Sequence, residues 1–209
     1  MLLAPFAVYT AFVMMSPINI GVRYYLPAYT FLFIAGGALL DALLRGGGGR
    51  ARLAGAAVAV VLVGWMAFEA LRAYPDYMAY MNQLAARQER WWYLSDSNVE
   101  WGDDVKELAA YLRARGETRA RAAVLGGFLT LPFHGVEQVD LLTPSAGEPP
   151  RTRYTAIGAS FLNGSTVPVR EAGGVPLSEE RRVNYFDEYR RRAPEKIFGG
   201  SIYLYREYE

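Results

Sequence analysis

The chain has 209 residues, with 22 lysines and arginines against 21 aspartates and glutamates, 52% apolar side chains, no cysteine and a single histidine, His134. The even charge argues against a nucleic-acid partner, which needs a clustered basic surplus. The missing cysteine excludes disulfide scaffolds, thiolate zinc sites and cysteine nucleophiles, and one histidine leaves little room for an imidazole metal site or a Ser-His-Asp relay.

A mean hydropathy of +0.05 averages two unlike parts. Residues 1–73 hold five basic and two acidic side chains, whereas residues 74–209 hold 17 and 19. Three apolar stretches fill the first part, at about 1–16, 26–44 and 53–71. A helix needs roughly 20 apolar residues to cross a hydrocarbon core of about 30 Å. The second and third stretches meet that length, and their lone acids, Asp41 and Glu69, lie near one end. The first is short and lacks the basic start and small-residue cleavage site of a secretory signal. Residues 1–73 therefore read as two or three transmembrane helices. The turn Arg45-Gly46-Gly47-Gly48-Gly49-Arg50-Ala51-Arg52 carries three arginines, which by the positive-inside rule puts it in the cytoplasm. The segment Pro17–Tyr25 and everything after Tyr74 are then extracytoplasmic.

Residues 74–95 read as an interfacial amphipathic linker, with Tyr74, Tyr77 and Tyr80 at the depth that amphipathic rings favour. Residues 96–209 read as a small extracytoplasmic α/β domain. From Asp103 to Arg115, apolar side chains at Val105, Leu108, Ala109 and Leu112 have the spacing of an amphipathic helix, and Gly116 follows as a stop signal. Strands are expected at Ala122–Leu125, Val139–Leu142 and Tyr154–Leu162. A helix is expected from Ser178 to Arg192, ended by Pro194. The last strand is expected at Ser201–Tyr205, with Ile202 and Leu204 on one face and Tyr203 and Tyr205 on the other.

Arg23 stands just before an apolar helix, where its guanidinium could pair with a lipid-linked phosphate or anchor the helix among headgroups. The acidic cluster Asp96, Glu100, Asp103 and Asp104 could hold a divalent cation or a sugar hydroxyl, but acids at the start of a helix are also expected for capping. Trp101 could stack on a sugar ring or pack beneath a loop. His134 reads as a loop or packing residue. Asn163-Gly164-Ser165 fits both a glycosylation acceptor and a turn, and Arg190-Arg191-Arg192 with Arg181 and Arg182 reads as the solvated end of a helix.

Several segments resemble a known family. Gly21-Val22-Arg23-Tyr24-Tyr25-Leu26-Pro27-Ala28-Tyr29-Thr30-Phe31 is similar to the "GxRYLLPxYPF" segment of bacterial glycosyltransferase family 39 and related dolichyl-phosphate-mannose-protein mannosyltransferase-like proteins, with departures at Tyr25 and Thr30. Tyr74–Asn82 resembles their "YPxYLAYFN", Asp96–Leu108 their "DSNLDWGQDLKxL", Phe161–Gly164 their "YLNG" and Gly199–Tyr205 their "GGSIYVY". The matches keep the family's order from residue 21 to residue 205.

The resemblance implies a multi-pass enzyme of the inner (plasma) membrane that moves a sugar from a polyprenyl-phosphate donor to a glycan or protein acceptor on the outer side. It implies that Arg23, with Tyr24 and Tyr25, contacts the lipid phosphate, and that Trp101, Asp96 and Glu100 are candidates for sugar or acceptor contact. The family's catalytic acid or base lies on an early outer loop, and nothing in this chain corresponds to it. The catalytic residues are thus unknown, no metal ligands are assigned, and the only cofactor considered is a divalent cation. The chain reads as a C-terminal portion, inactive alone. A non-enzymatic membrane-tethered domain that binds glycans or a protein is the alternative. A transporter subunit fits less well, since the apolar stretches show no paired intramembrane charges.

Overall fold

A computed structural model describes residues 3–16, 21–83, 85, 88–143, 151–171 and 174–207. The chain divides into two compact units, Met1–Tyr74 and Pro75–Glu209.

In the first unit, α1 (Leu3–Met15) is followed by a 3₁₀ turn at Val22–Tyr25, then α2 (Leu26–Arg45) and α3 (Arg50–Ala73). Pro27 in the first turn suits α2, because the amide it lacks would have no partner there. Arg45 in the last turn pairs with Asp41 at 2.8 Å. The four glycines before Arg50 let the chain reverse. Tyr74 is extended, as a residue before proline prefers, and α3 ends there. The segments Val22–Arg45 and Arg50–Ala73, 24 residues each with hydropathies of 1.6 and 1.9, are long and apolar enough to cross a membrane. Only 6% and 11% of their most apolar windows are buried within the protein. A core helix of a water-soluble domain would bury most of its apolar side chains, so these helices have the character of membrane-associated segments. At 13 residues α1 falls short of a crossing.

The second unit is an α/β domain. Its elements run α4 (Arg90–Tyr93), α5 (Val105–Arg113), β1 (Arg119–Ala123), α6 (Gly127–Phe133), β2 (Glu137–Asp140), β3 (Tyr154–Gly158), α7 (Ala159–Asn163), α8 (Glu179–Val183), α9 (Asp187–Arg190), β4 (Lys196–Phe198) and β5 (Ile202–Arg206). The five strands form one sheet in the order β2-β1-β3-β5-β4. Strands β2, β1 and β3 are parallel, and β5 and β4 add an antiparallel edge.

Both faces of the sheet are buried. Ala120, Ala122, Tyr154, Ala156, Ile202 and Leu204 turn to one side, against Val105, Leu108, Ala109 and Leu112 of α5 and Leu131 of α6. Ala123, Ile157, Tyr203 and Tyr205 turn to the other, against Phe161 and Leu162 of α7, Phe186 and Leu177. The stretch expected as a linker contributes to this second layer. Ala79 is buried in it, Trp91 and Leu94 pack on it, and the Tyr203 hydroxyl donates to Glu89 Oε2 at 3.1 Å.

Two expected elements are interrupted. The segment Tyr154–Leu162 is strand only to Gly158 and then turns into α7: the Ala159 amide makes the last bond towards β5, to the Ser201 carbonyl at 2.7 Å, and the Ser160 amide donates to Glu100 instead. The segment Ser178–Arg192 is split into α8 and α9. Between them Phe186 turns inward, and the Arg190 guanidinium donates to the carbonyls of Val183 at 2.5 Å and Leu162 at 2.6 Å, giving the end of α8 a donor for its free carbonyl.

Candidate functional site

Arg23 lies in the exposed 3₁₀ turn that leads into α2. Beside it the Tyr9 hydroxyl donates to the Tyr24 carbonyl at 2.5 Å, and the Thr10 and Tyr25 hydroxyls are hydrogen-bonded at 2.9 Å. The Tyr25 ring meets Tyr29 edge-on, with centroids 5.9 Å apart, and Tyr29 stacks on Phe33. The three candidate phosphate-binding residues are thus consecutive in one turn. Tyr25 and the backbone of Tyr24 are held by α1, and the guanidinium stands at the head of an apolar helix. Of the segment from Pro17 to Tyr25, residues 17–20 lie outside the described residues.

In the second unit the candidate residues sit in the loop from Ser95 to Asp104. Asp96 has φ +52°, a left-handed conformation that aspartate tolerates better than most residues. Its carbonyl accepts from the amides of Val99 at 3.1 Å and Glu100 at 3.2 Å, curling the loop inward. Val99 and Glu100 are then both fully buried. Trp101 projects outward, 58% exposed, its indole N–H bonded to the Ser97 carbonyl at 2.9 Å.

Glu100 occupies a particular place in the sheet. From β1 the chain crosses to β2 on one side, then returns to β3 on the other, so the crevice beyond the ends of β1 and β3 is a topological switch point. Open α/β sheets bind their ligands in that crevice. Here it holds the chain's own carboxylate. Glu100 Oε1 accepts from the Leu125 amide just past β1 at 2.6 Å, and Oε2 accepts from the Ser160 amide just past β3 at 3.2 Å. Gly158 makes room for it, since a Cβ there would lie 2.1 Å from Oε1. Burial pushes the Glu100 carboxyl up from 4.5 to about 7, against the pull of the two amides.

Asp104 makes a second tie. Its carboxylate accepts from the Ser201 hydroxyl at 2.5 Å and fills the space over Gly199 in the β4–β5 turn, and burial raises its pKa despite that bond. Gly199 and Gly200 carry φ of +50° and +82°, which glycine accepts without strain. The same turn is held from a third direction by Arg90, which donates to the Gly199 carbonyl at 2.5 Å. The Asn163 side-chain amide donates to the Trp91 carbonyl at 2.8 Å.

The loop residues therefore separate by role. Glu100 and Asp104 face inward to different strand ends and hold the loop to the sheet. Asp96, half-buried, and Trp101, exposed, border the outside. Among the described residues no three acidic or imidazole side chains are grouped so as to hold a metal ion. His134 ends α6 with its ring edge-on to Phe133. The role of Glu100 was not legible from spacing, because a carboxylate opening a helix and one plugging a strand crevice look alike in a sequence.

Comparison of the chain with protein-family models, with curated proteins and with solved structures finds no match.

Proposed function

We propose that the chain is the C-terminal portion of a polyprenyl-phosphate-sugar-dependent membrane glycosyltransferase, with two or three transmembrane helices in the inner membrane and the α/β domain on the extracytoplasmic side. One observation carries the reading. Three segments that resemble the family, 96–108, 161–164 and 199–205, are tied into one assembly: Asp104 to Ser201, and Asn163 and the Gly199 carbonyl to the two ends of the Arg90–Trp91 pair. Segments far apart in sequence that serve one structural unit have a physical reason to occur together in order.

In this reading Arg23, with Tyr24 and Tyr25, receives the donor phosphate, and its fixed positive charge offsets the negative charge that grows on the leaving group as the sugar departs. Trp101 and Asp96 are the outward-facing candidates for sugar or acceptor contact, while Glu100 supports the loop that carries them.

The test is Arg23→Ala in an enzyme that contains the catalytic loop. The loss of a charged hydrogen-bond partner of the donor is expected to lower kcat/KM for the lipid-linked sugar by roughly ten- to a hundredfold, with little change in thermal stability. Equal donor use by variant and parent would remove the proposal.

A further inference from the structure

Helix α6 crosses from β1 to β2 with an unusual distribution of side chains. Leu131 is buried in the core, but Phe128, Leu129 and Phe133 are 71%, 75% and 85% exposed, and Pro132 is exposed beside them. Residues 128 and 132, and 129 and 133, are each four apart, so the four share one outer surface of the helix. The exposed Trp101 stands near the start of that helix, since the next residue, Gly102, lies against the Leu125 carbonyl and Gly126. No charged side chain occurs from Ala122 to Val136. A water-facing helix normally carries charge on its outer side, and a contiguous apolar patch marks a surface that is covered in use.

We infer that this face of α6, with Trp101, inserts into the headgroup–acyl boundary of the bilayer that α2 and α3 enter. The inference rests on the membrane-spanning reading of those helices and goes beyond the sugar-transfer proposal. Three observations favour lipid. The domain begins at Pro75, two residues after α3 ends, so a bilayer is held near it covalently at high effective concentration. The side chains are two phenylalanines, a leucine and a tryptophan, the types that settle at that depth. The patch is also small: a stable protein–protein contact takes about 20–30 residues a side, and here four side chains of α6 form the face with Trp101 near its start, whereas a lipid surface needs no shaped counterpart. The absence of charge predicts attraction to zwitterionic lipid that does not depend on salt.

The chain has no cysteine, so a single introduced thiol reports one position. The full chain bearing Phe133→Cys or Leu129→Cys, labelled with an environment-sensitive fluorophore, is reconstituted into phosphatidylcholine vesicles. Val61→Cys in α3 is the lipid reference and Glu180→Cys in α8 the water reference. Both α6 positions are expected to be quenched by doxyl-labelled phosphatidylcholine, as Val61 is, and shielded from iodide supplied on both sides, unchanged when sodium chloride is raised about tenfold. Iodide quenching equal to that at Glu180 would overturn the inference. Shielding from both quenchers would overturn it too, in favour of a protein cover. If the lipid quencher fails to reach Val61, the membrane-spanning reading falls and this inference with it.

Discussion

Glu100 holds the loop from Ser95 to Asp104 to the ends of β1 and β3. Its carboxyl is favoured in the neutral form when folded, at about 7, whereas the unfolded chain ionises it near its ordinary value. Its contribution to stability is therefore complete below about pH 4.5 and is lost as the pH rises through about 7, a span worth on the order of 3 kcal/mol. Asp104, also raised by burial, acts in the same direction from a lower starting point. Glu207 opposes them. Burial pushes it up, but hydrogen bonds from Thr155, Tyr189 and Arg192 hold it below the usual range, so its contribution is lost only on acidification. The full chain in detergent is expected to melt at lower temperature at about pH 7.5 than at about pH 5. In Glu100→Gln that slope should shrink, while the acidic end loses about 1–3 kcal/mol because the amide's own NH₂ faces a backbone donor. Parallel slopes in parent and variant would show that another group sets the dependence.

At the scale of elements, the domain is held by a helix and a strand that were patterned for it. In α5 Val105, Leu108, Ala109 and Leu112 recur at helical spacing and all four are fully buried on the sheet. In β5 the alternation is of another kind: Ile202 and Leu204 serve one layer and Tyr203 and Tyr205 the other, so the four positions before Arg206 are apolar or aromatic and both faces are closed there. Leu112→Ala in α5 removes a wholly buried side chain from the larger layer and is expected to cost about 2–5 kcal/mol, read as a lowered denaturant midpoint with the α6 face unaffected. A loss under 1 kcal/mol would mean the layer collapses to fill the gap. Helices α7, α8 and α9 contrast with α5. Each is four or five residues long, too short to persist by propensity, and each is shaped by ties such as Arg190 to Val183 and Leu162.

For the whole molecule, the uneven charge predicts an orientation. Three arginines flank the glycine run between α2 and α3, which favours retaining that hairpin turn in the cytoplasm. Since no native thiol competes, Gly48→Cys is expected to react with a membrane-impermeant maleimide only after lysis, and Glu180→Cys in cells whose inner membrane is intact. The reverse pattern would turn the topology over and take the α/β domain out of the extracytoplasmic space.

The sequence by itself determined the division near residue 74, the two long apolar helices, α5 and the pattern of β5, because each depends on the run or period of neighbouring side chains. Its positions for β1 and β2 were a few residues late. In β1 small alanines alternate with Arg119 and Arg121, and the burial of Ala120 and Ala122 arises from what packs on them rather than from their own size. Helix α6 and strand β4 had no local signal that stood out from their surroundings. The site divides in the same way. Three residues in one turn, Arg23, Tyr24 and Tyr25, can be read as a group without coordinates, whereas for Trp101 the structure decided between an exposed ring and one packed beneath the loop. That Glu100 closes the crevice between β1 and β3 was decided only by the tertiary structure. Its partners are 25 and 60 residues away, and a carboxylate's pairing with distant backbone amides depends on the crossing of strands, which no local pattern encodes.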